Sequence, residues 1–348
     1  MKLTRLPPRA RAATAIVGAA VALLVAACGS APAAPANAAE TTPEWAQVLS
    51  DASREGSAVV YTSFRQNQQD ALLDAFHAKY PAIDVQMSRV VAGVAGKIQA
   101  EKQTGAAGAD VVVTTEAQLP DQLAPAGDLM TIEGPHAEQW KGSPHFDGKS
   151  FPATFNVWGL TWNTDQVKQA VTTYRDLLRP DLVGRIGLLD VATGPAVADF
   201  YQFLEQTQGP DYLAALARQQ PRFYPSAVPL QQAAVAGEVA AIGMVVPDVR
   251  EDERSGAPVG FALPDPAWAA PQVAFGVTWA KHPNAARVLL DFMMSPEGQN
   301  ALALNGVSAL PGTSGLVPID KVRISPVAPS TPDAIKQFDA RWGELFRK

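Results

Sequence analysis

Cysteine, clustered basic residues and long apolar segments are all scarce in this chain of 348 residues. The single cysteine, Cys28, excludes an intramolecular disulfide. The net charge is −6 and there is no run of Lys or Arg, so nucleic acid is not an expected partner, because sequence-independent binding needs a positive surface. The longest apolar run, residues 12–27, is shorter than the roughly 20 residues of a membrane-spanning helix. A hydrophobic content of 47% and a charged content of 18% nevertheless predict packed cores rather than disorder.

The first forty residues have the pattern of a bacterial secretion signal. A basic segment precedes the apolar run, and the sequence LVAAC ending at Cys28 resembles a lipobox, in which the cysteine is lipidated and becomes the new N-terminus. We therefore expect residues 1–27 to be a signal peptide and residues 28–41 to be a lipidated cysteine with a Pro/Ala tether. A lipid anchor would hold the body at the outer face of the cell membrane, in the periplasm or cell-wall space. A buried free cysteine in an ordinary signal anchor is the alternative.

From Thr42 onward, predicted helices and strands alternate. Thr42 and Pro43 have the pattern of a helix start, and Val59 and Val60 the pattern of a buried strand. An amphipathic helix follows in QNQQDALLDAFHAKYP, then a strand, a helix from Gly93 and the buried strand ADVVVTT. Alternation of this kind predicts a parallel α/β unit.

The alternation restarts after a long β segment over residues 151–162. Strands are predicted at IGLLDV, residues 239–246 and GVTWA, and helices begin near Pro195, Asp211, Asn284 and Ser295. Asn284 and Ser295 are expected to cap their helices. We therefore expect two α/β lobes, because the pattern occurs twice with extended segments between.

The expected lobe boundaries follow from these segments. Residues 42–160 form the first part of lobe one, residues 161–262 form lobe two, and residues 263–348 return to lobe one. The return segment is expected to end in an amphipathic helix on lobe one that carries Ile335, Phe338, Trp342 and Phe346. Since open parallel sheets bind ligands at the carboxyl ends of their strands, a cleft between the lobes is the expected site.

Seven motifs are spread between about residues 58 and 310: VVYTS, LLDAFHAKYP, KIQAEKQTGAAGADVVVTTE, VWGLTWNTDQV, LLDVATGPAVADF, AAVAGEVAAIGM and HPNAARVLLDFMMSPEGQNAL. In their order and spacing they resemble those of the extracellular solute-binding proteins of ABC importers, in the branch that binds ferric iron, thiamine, polyamines and phosphonates. The resemblance implies a type II periplasmic-binding-protein fold, with crossover hinge strands near residues 158–163 and between residues 246 and 262. It also implies a monomer without cofactor or catalysis, which closes around a small solute and delivers it to a membrane permease driven by a cytoplasmic ATPase.

Positions that match the family's contact loops form the expected ligand site. Independently of the resemblance, Thr193 and Gly194 before Pro195 have the pattern of a helix start, and Ser63 and Gly93 also precede helices. Helix starts offer free N–H groups and a partial positive charge, so three of them facing one cleft predict an anionic group, such as a phosphonate. The expected ligand-binding residues are Thr62, Ser63, Phe64, Gly93, Val94, Thr115, Glu116, Trp158, Thr193, Gly194, Tyr224, Ser226 and Asp248.

Three alternatives stay open at this point, and the first is a ferric-iron site. The iron-binding branch carries adjacent tyrosines, which this chain lacks near Val246, so a ferric site would depend on Tyr61, Glu116, Tyr224 and Asp248. Asp248 is also a candidate partner for a solute amine, as in an aminophosphonate, and Trp158 either contacts an organic solute or packs at the hinge.

The second and third alternatives are a surface-anchored hydrolase and a purely structural lipoprotein. No H-E-x-x-H, cysteine pair or G-x-S-x-G motif supports catalysis, and Val91 stands where a P-loop needs its first glycine.

Overall fold

The structure is a computed structural model that describes residues 42–90, 93–143, 146–245, 249–303, 307–308, 310, 322–324 and 332–347. The predictions for the leader, Cys28 and the tether lie outside the described residues, as does Asp248.

Helices cover both faces of the sheet in the body. The helix α1 begins where the sequence predicts, because the Thr42 hydroxyl accepts a hydrogen bond from Trp45 N (3.2 Å) and Pro43 stands at the first helical position. Ser295 caps α11 in the same way through Gly298 N (3.0 Å). The helices are α1 (Pro43–Glu55), α2 (Gln66–Lys79), α3 (Val94–Thr104), α4 (Leu119–Leu123), α5 (Ala137–Trp140), α6 (Pro195–Gln208), α7 (Tyr212–Arg218), α8 (Ala227–Val235), α9 (Val249–Arg254), α10 (Pro283–Met294), α11 (Pro296–Leu302) and α12 (Pro332–Phe346).

The strands form one continuous hydrogen-bonded order, β2-β1-β3-β9-β4-β7-β5-β6, with β10 on β9 and β8 on β4. β1 is parallel to β2 and β3, and β5 is parallel to β6 and β7, whereas β9 is antiparallel to β3 and β4. The strands are β1 (Ser57–Thr62), β2 (Asp84–Arg89), β3 (Val111–Thr114), β4 (Ser150–Asn163), β5 (Ile186–Leu189), β6 (Arg222–Tyr224), β7 (Ala241–Val245), β8 (Val259–Ala262), β9 (Ala267–Gly276) and β10 (Val322–Ile324).

The long strand β4 joins two α/β lobes. Up to Trp158 it pairs with β9, and from Gly159 onward it pairs with β7 and β8. The first lobe has a buried apolar cluster on each face of its sheet, and the second lobe has a cluster of its own around Leu188 and Phe200. The two-lobed α/β fold predicted from the sequence is confirmed; the lobe boundaries given above stay a prediction.

Two local predictions are wrong. The segment GVTWA is not a strand: β9 ends at Gly276, and Val277 makes only an isolated bridge with Leu129. Asn284 does not cap α10, which begins at Pro283. Instead, the Glu55 carboxylate at the end of α1 accepts hydrogen bonds from Asn284 N (2.9 Å) and Ala285 N (2.8 Å), because α1 packs beside α10.

The last helix, α12, packs on the second core and not on the first, where the sequence analysis puts it. Phe338 and Trp342 are buried in the second cluster. Their rings find aromatic partners there: Trp342 lies 4.9 Å from Phe223 and 5.6 Å from Tyr201, between ring centroids. Since β10 pairs with β9 in the sheet of the first lobe, the last described strand and the last helix belong to different lobes.

Candidate functional site

Three predicted loops of the first lobe meet at the carboxyl edge of its sheet. Parallel pairing of β1 with β2 and β3 aligns the strand ends, so Val90 N donates to Thr62 O (2.9 Å) and Ser63 N donates to Val113 O (2.9 Å). Gly93 N then donates to the Glu116 carboxylate (3.1 Å). The structure therefore brings together Thr62, Ser63, Gly93 and Glu116, as the positions of the loops in the sequence predict.

The segment from Thr62 to Phe64 presents one hydroxyl that has no hydrogen-bond partner. Thr62 Oγ1 accepts from Phe64 N (3.0 Å), and the Phe64 ring is fully buried in the first core. Ser63 is only 5% exposed, and among the described residues its Oγ has no partner. A buried hydroxyl in that state is costly, so Ser63 is the polar group of this loop that most needs a ligand.

Arg89 stands beside this loop and was missed by the sequence analysis. Its Nε donates to Phe64 O (3.2 Å), which holds the guanidinium at the carboxyl end of β2. Arg89 is exposed and forms no ion pair with any acid in the described part of the chain. The available signal was its place at the carboxyl end of a strand, where the predicted site lies.

Glu116 gives the same edge a negative charge. The Thr114 hydroxyl accepts from Glu116 N (3.0 Å) and orders the turn after β3, and the carboxylate then reaches Gly93, the residue before α3. A carboxylate is favourable at a helix start because of the helix dipole. Thr115 beside it is exposed, whereas Val94 is buried in a core cluster and offers no side chain to a ligand.

In the second lobe, the predicted loop at Thr193 is organised by Asp190. The Asp190 carboxylate accepts from Ala192 N (2.9 Å) and caps a 3₁₀ turn over Val191–Thr193. Gly194 follows with φ 156°, and it is this residue, not Thr193, that precedes α6. The expectation that the Thr193 hydroxyl caps α6 is therefore wrong. Thr193 is the last residue of the 3₁₀ turn, and Gly194 separates it from the helix.

The start of α6 is nevertheless accessible to a ligand. Thr193 is exposed, and a Cβ placed on Gly194 would have no atom within 4 Å, so the backbone is open at this point. Because α6 is a helix of 14 residues, its first N–H groups carry the usual partial positive charge.

Tyr224 and Ser226 lie next to this loop. Asp190 N donates to Tyr224 O (3.2 Å), which ties the end of β6 to the end of β5. Tyr224 is half-buried, and burial raises the pKa of its hydroxyl. Ser226 precedes α8, is exposed, and makes no capping hydrogen bond to that helix.

Trp158 packs at the hinge. Its ring centroid lies 4.2 Å from that of Trp268 and 5.2 Å from that of Phe200 in α6. Trp268 Nε1 in turn donates to Asp199 Oδ2 (2.8 Å). These contacts favour the packing alternative over a solute contact, since the ring packs on Phe200 in α6 and on Trp268 in β9.

The tyrosines of the iron alternative are not set up as phenolates. The Tyr61 hydroxyl donates to Glu101 Oε1 (2.6 Å) within the core beside α3, and burial raises its pKa. The pKa of Tyr224 is raised as well. Within the described residues, no group of three His, Cys, Asp or Glu side chains is arranged to hold a metal ion.

A hydrogen-bonded Ser-His-Asp chain occurs at the amino edge of the first sheet. Ser57 Oγ lies 3.1 Å from His282 Nε2, and His282 Nδ1 lies 2.9 Å from Asp110 Oδ2. The same carboxylate also accepts backbone N–H groups from Val59 (2.8 Å), Lys281 (2.7 Å) and His282 (3.0 Å). Because these donors come from β1 and the start of α10, the arrangement joins three elements, and it lies at the opposite end of the strands from the predicted loops.

No helix in the described part of the chain is long and apolar enough to cross a membrane.

Comparisons with known proteins agree with this architecture. Residues 59–308 match the family model of bacterial extracellular solute-binding proteins. A comparison with curated protein sequences finds no match.

Solved structures share the fold at low sequence identity. The substrate-binding protein of an ABC transporter from Agrobacterium tumefaciens has a TM-score of 0.66 at 19% identity, covering 84% of this chain and 96% of its own. The periplasmic binding protein AfuA from Actinobacillus pleuropneumoniae, with fructose 6-phosphate bound, has a TM-score of 0.61 at 21% identity, covering 84% and 99%. Iron-bound HitA from Pseudomonas aeruginosa has a TM-score of 0.62 at 21% identity, covering 82% and 99%.

These relatives are binding proteins of transport systems and not enzymes. Their fold is the type II periplasmic-binding-protein fold. The family match covers most of the chain, so the chain belongs to the bacterial extracellular solute-binding proteins.

Proposed function

We propose that the protein captures a small solute with an anionic group, such as a phosphonate or a similar organic anion, in the cleft between its lobes. The solute then passes to a membrane permease that a cytoplasmic ATPase drives. The observation that carries this proposal is that, within the described part of the chain, the buried Ser63 hydroxyl has no hydrogen-bond partner and Arg89, which is bonded to the adjacent Phe64 O, forms no ion pair.

The first-lobe edge has the donors that an anion needs. An anionic oxygen can accept a hydrogen bond from Ser63 and so remove the cost of burying that hydroxyl. Arg89 supplies positive charge and can bind a phosphonate or carboxylate with two parallel N–H donors. The start of α2, which follows directly, adds further partial positive charge.

The second-lobe edge supplies donors of another kind. Around Gly194 the backbone is open, and the first N–H groups of α6 are available to a ligand oxygen. Contacts from both lobes to one solute would favour the closed arrangement over the open one, as transfer of the solute requires.

Glu116 adds a restriction on the solute. Its carboxylate would repel a second negative charge placed next to it, but it can accept hydrogen bonds from an ammonium or hydroxyl group. An anion that also carries an amine or several hydroxyls therefore fits this edge better than a compact dianion. Fructose 6-phosphate, which AfuA holds, has this combination of groups.

Ferric iron is the second candidate, because HitA is an iron-bound relative. Hard Fe³⁺ requires anionic oxygen ligands. The raised pKa values of Tyr61 and Tyr224 oppose phenolate formation, and Tyr61 already donates to Glu101. These facts favour an organic anion over the bare metal ion.

We also propose that the mature protein is a monomer held to the outer face of the cell membrane by a lipid on Cys28. The basic and apolar segments before Cys28 and the Pro/Ala tether after it support this proposal.

Thermal unfolding with candidate solutes tests the ligand class. We expect an organic phosphate or phosphonate, such as fructose 6-phosphate or 2-aminoethylphosphonate, to raise the melting temperature, whereas thiamine and spermidine do not. A rise with ferric citrate alone, or with spermidine alone, contradicts the proposal.

Variants locate the site by isothermal titration with the solute that stabilises the wild type. Ser63→Ala and Arg89→Gln each remove a charge-assisted hydrogen bond, so we expect the dissociation constant to rise by about 10- to 100-fold. Arg218→Gln, at an exposed position at the end of α7, is the matched control and leaves binding unchanged. Normal binding by both Ser63→Ala and Arg89→Gln means that the site lies elsewhere.

A further inference from the structure

The C-terminal helix α12 reaches the loop of the second lobe that carries Thr193. The aromatic face of α12 fixes the helix in place: Trp342 is 1% exposed, and Phe346 lies 5.5 Å from Phe223 and 6.1 Å from Tyr201 between ring centroids. The same Tyr201 donates from its hydroxyl to Leu189 O (2.8 Å), at the end of β5. One aromatic group thus connects α12 to the strand that leads into the loop.

Arg347, directly after α12, completes the connection. Its guanidinium lies over the Trp342 ring (5.2 Å to the centroid) and 3.4 Å from the Asp339 carboxylate, so two groups of α12 orient it. The guanidinium then binds Asp190 Oδ1 at 3.0 Å. That oxygen is the one that accepts from Ala192 N and caps the 3₁₀ turn before Gly194.

We propose that α12 is a brace for the second-lobe half of the solute site and that Arg347 is a positioning residue, which acts on the solute through Asp190. This inference rests on the proposed function, because it takes the loop over residues 190–194 to be a solute contact. With Arg347 bound, Asp190 keeps its carboxylate turned toward Ala192 N, and the start of α6 stays open to the ligand. Without Arg347, the Asp190 carboxylate loses one hydrogen-bond partner and the loop over residues 190–194 samples other conformations.

Hydrogen exchange of the mature chain without added solute tests the brace directly. Because a partly exposed ion pair contributes little free energy, we expect Arg347→Gln to speed exchange of the Ala192 and Thr193 amides by about threefold. Exchange in the peptides of α12 itself should stay as in the wild type, which shows that the helix remains docked.

Arg341→Gln is the matched control. Arg341 is on the same helix and loses the same charge, but it pairs with Glu205 in the body of α6 and not with the loop. We expect this variant to leave the Ala192 and Thr193 amides unchanged. Equal exchange in wild type and Arg347→Gln, or equal acceleration by both variants, overturns the brace.

Binding of 2-aminoethylphosphonate separates this inference from the proposed function. If the wild type binds it, we expect Arg347→Gln to weaken binding by about threefold while Arg341→Gln binds as the wild type does, and equal binding by all three overturns the positioning role. If the wild type binds only ferric citrate, the solute class is wrong, and the exchange result alone decides whether α12 braces the loop.

Discussion

The buried carboxylate of Asp110 is expected to be one of the most sensitive positions for stability. It is 0% exposed and accepts hydrogen bonds from three backbone N–H groups and from His282 Nδ1. Asp110→Ala removes all four and leaves three partly buried backbone donors without this acceptor. At about 1 kcal/mol for each donor, with the loss of the histidine contact added, we expect a destabilisation of about 4 kcal/mol.

Equilibrium unfolding in urea, followed by far-UV circular dichroism, measures this loss. Ser57→Ala removes only the last bond of the chain, so its cost should be about 1 kcal/mol. Asp121→Ala, an exposed acid in α4, should change the free energy of unfolding by less than about 0.5 kcal/mol. If Asp110→Ala lies within about 1 kcal/mol of the wild type, the carboxylate does not join β1, β3 and α10 as inferred from the structure.

Three further predictions concern other parts of the chain. Burial raises the pKa of Glu101, but hydrogen bonds from Tyr61 and Lys97 outweigh it and hold the pKa below the usual 4.5. The carboxylate therefore stabilises the fold above about pH 4.5 and loses this effect as the pH falls through the lowered pKa. In urea unfolding, Glu101→Gln should lower the free energy of unfolding at pH 7 and lower it less near pH 3. An equal loss of free energy at both pH values contradicts the assignment. Because the Trp158 ring packs on Phe200 and Trp268, Trp158→Ala should lower the free energy of unfolding in urea by about 3 kcal/mol. Solute affinity in titration calorimetry should be retained. Lost affinity at unchanged stability would instead make Trp158 a solute contact. Cys28→Ser should move the protein out of the membrane fraction or block its processing, as immunoblots of separated fractions would show, and a variant that stays processed and membrane-bound refutes the lipid anchor.

The order of elements explains why the fold could be predicted. Buried runs such as ADVVVTT and amphipathic segments such as QNQQDALLDAFHAKYP differ in period, so strands and helices separate in the sequence itself. Parallel pairing then brings all loops after the strands to one edge, which is why Thr62, Ser63, Gly93 and Glu116 could be placed together before any coordinates.

Side-chain direction could not be predicted in the same way. Whether Phe64 faces solvent or core depends on the turn after β1, and its ring is fully buried although its neighbours form the candidate site. Arg89 could not be linked to the site from the sequence, because nothing in the sequence connects its side chain to Phe64 O. The capping of α10 by Glu55 joins residues more than 200 positions apart, a separation that no local pattern encodes.

The helix α12 shows a further limit. An apolar stripe predicts that a helix face is buried, but it does not say against which surface. Phe338 and Trp342 suit any apolar surface, and the chain order alone favoured the first lobe. The second lobe offers Tyr201 and Phe223 as ring partners, and those rings come together only when α6 and β6 have folded.

The close contact between the indoles of Trp158 and Trp268 has a practical consequence. Two tryptophans with ring centroids 4.2 Å apart couple electronically, and they belong to the neighbouring strands β4 and β9 where the chain passes between lobes. Both rings also pack against the core of the second lobe, so their mutual geometry depends on how β4 and β9 are held there. Near-ultraviolet circular dichroism of the unlabelled protein is therefore expected to report on the packing of the hinge strands without an attached dye.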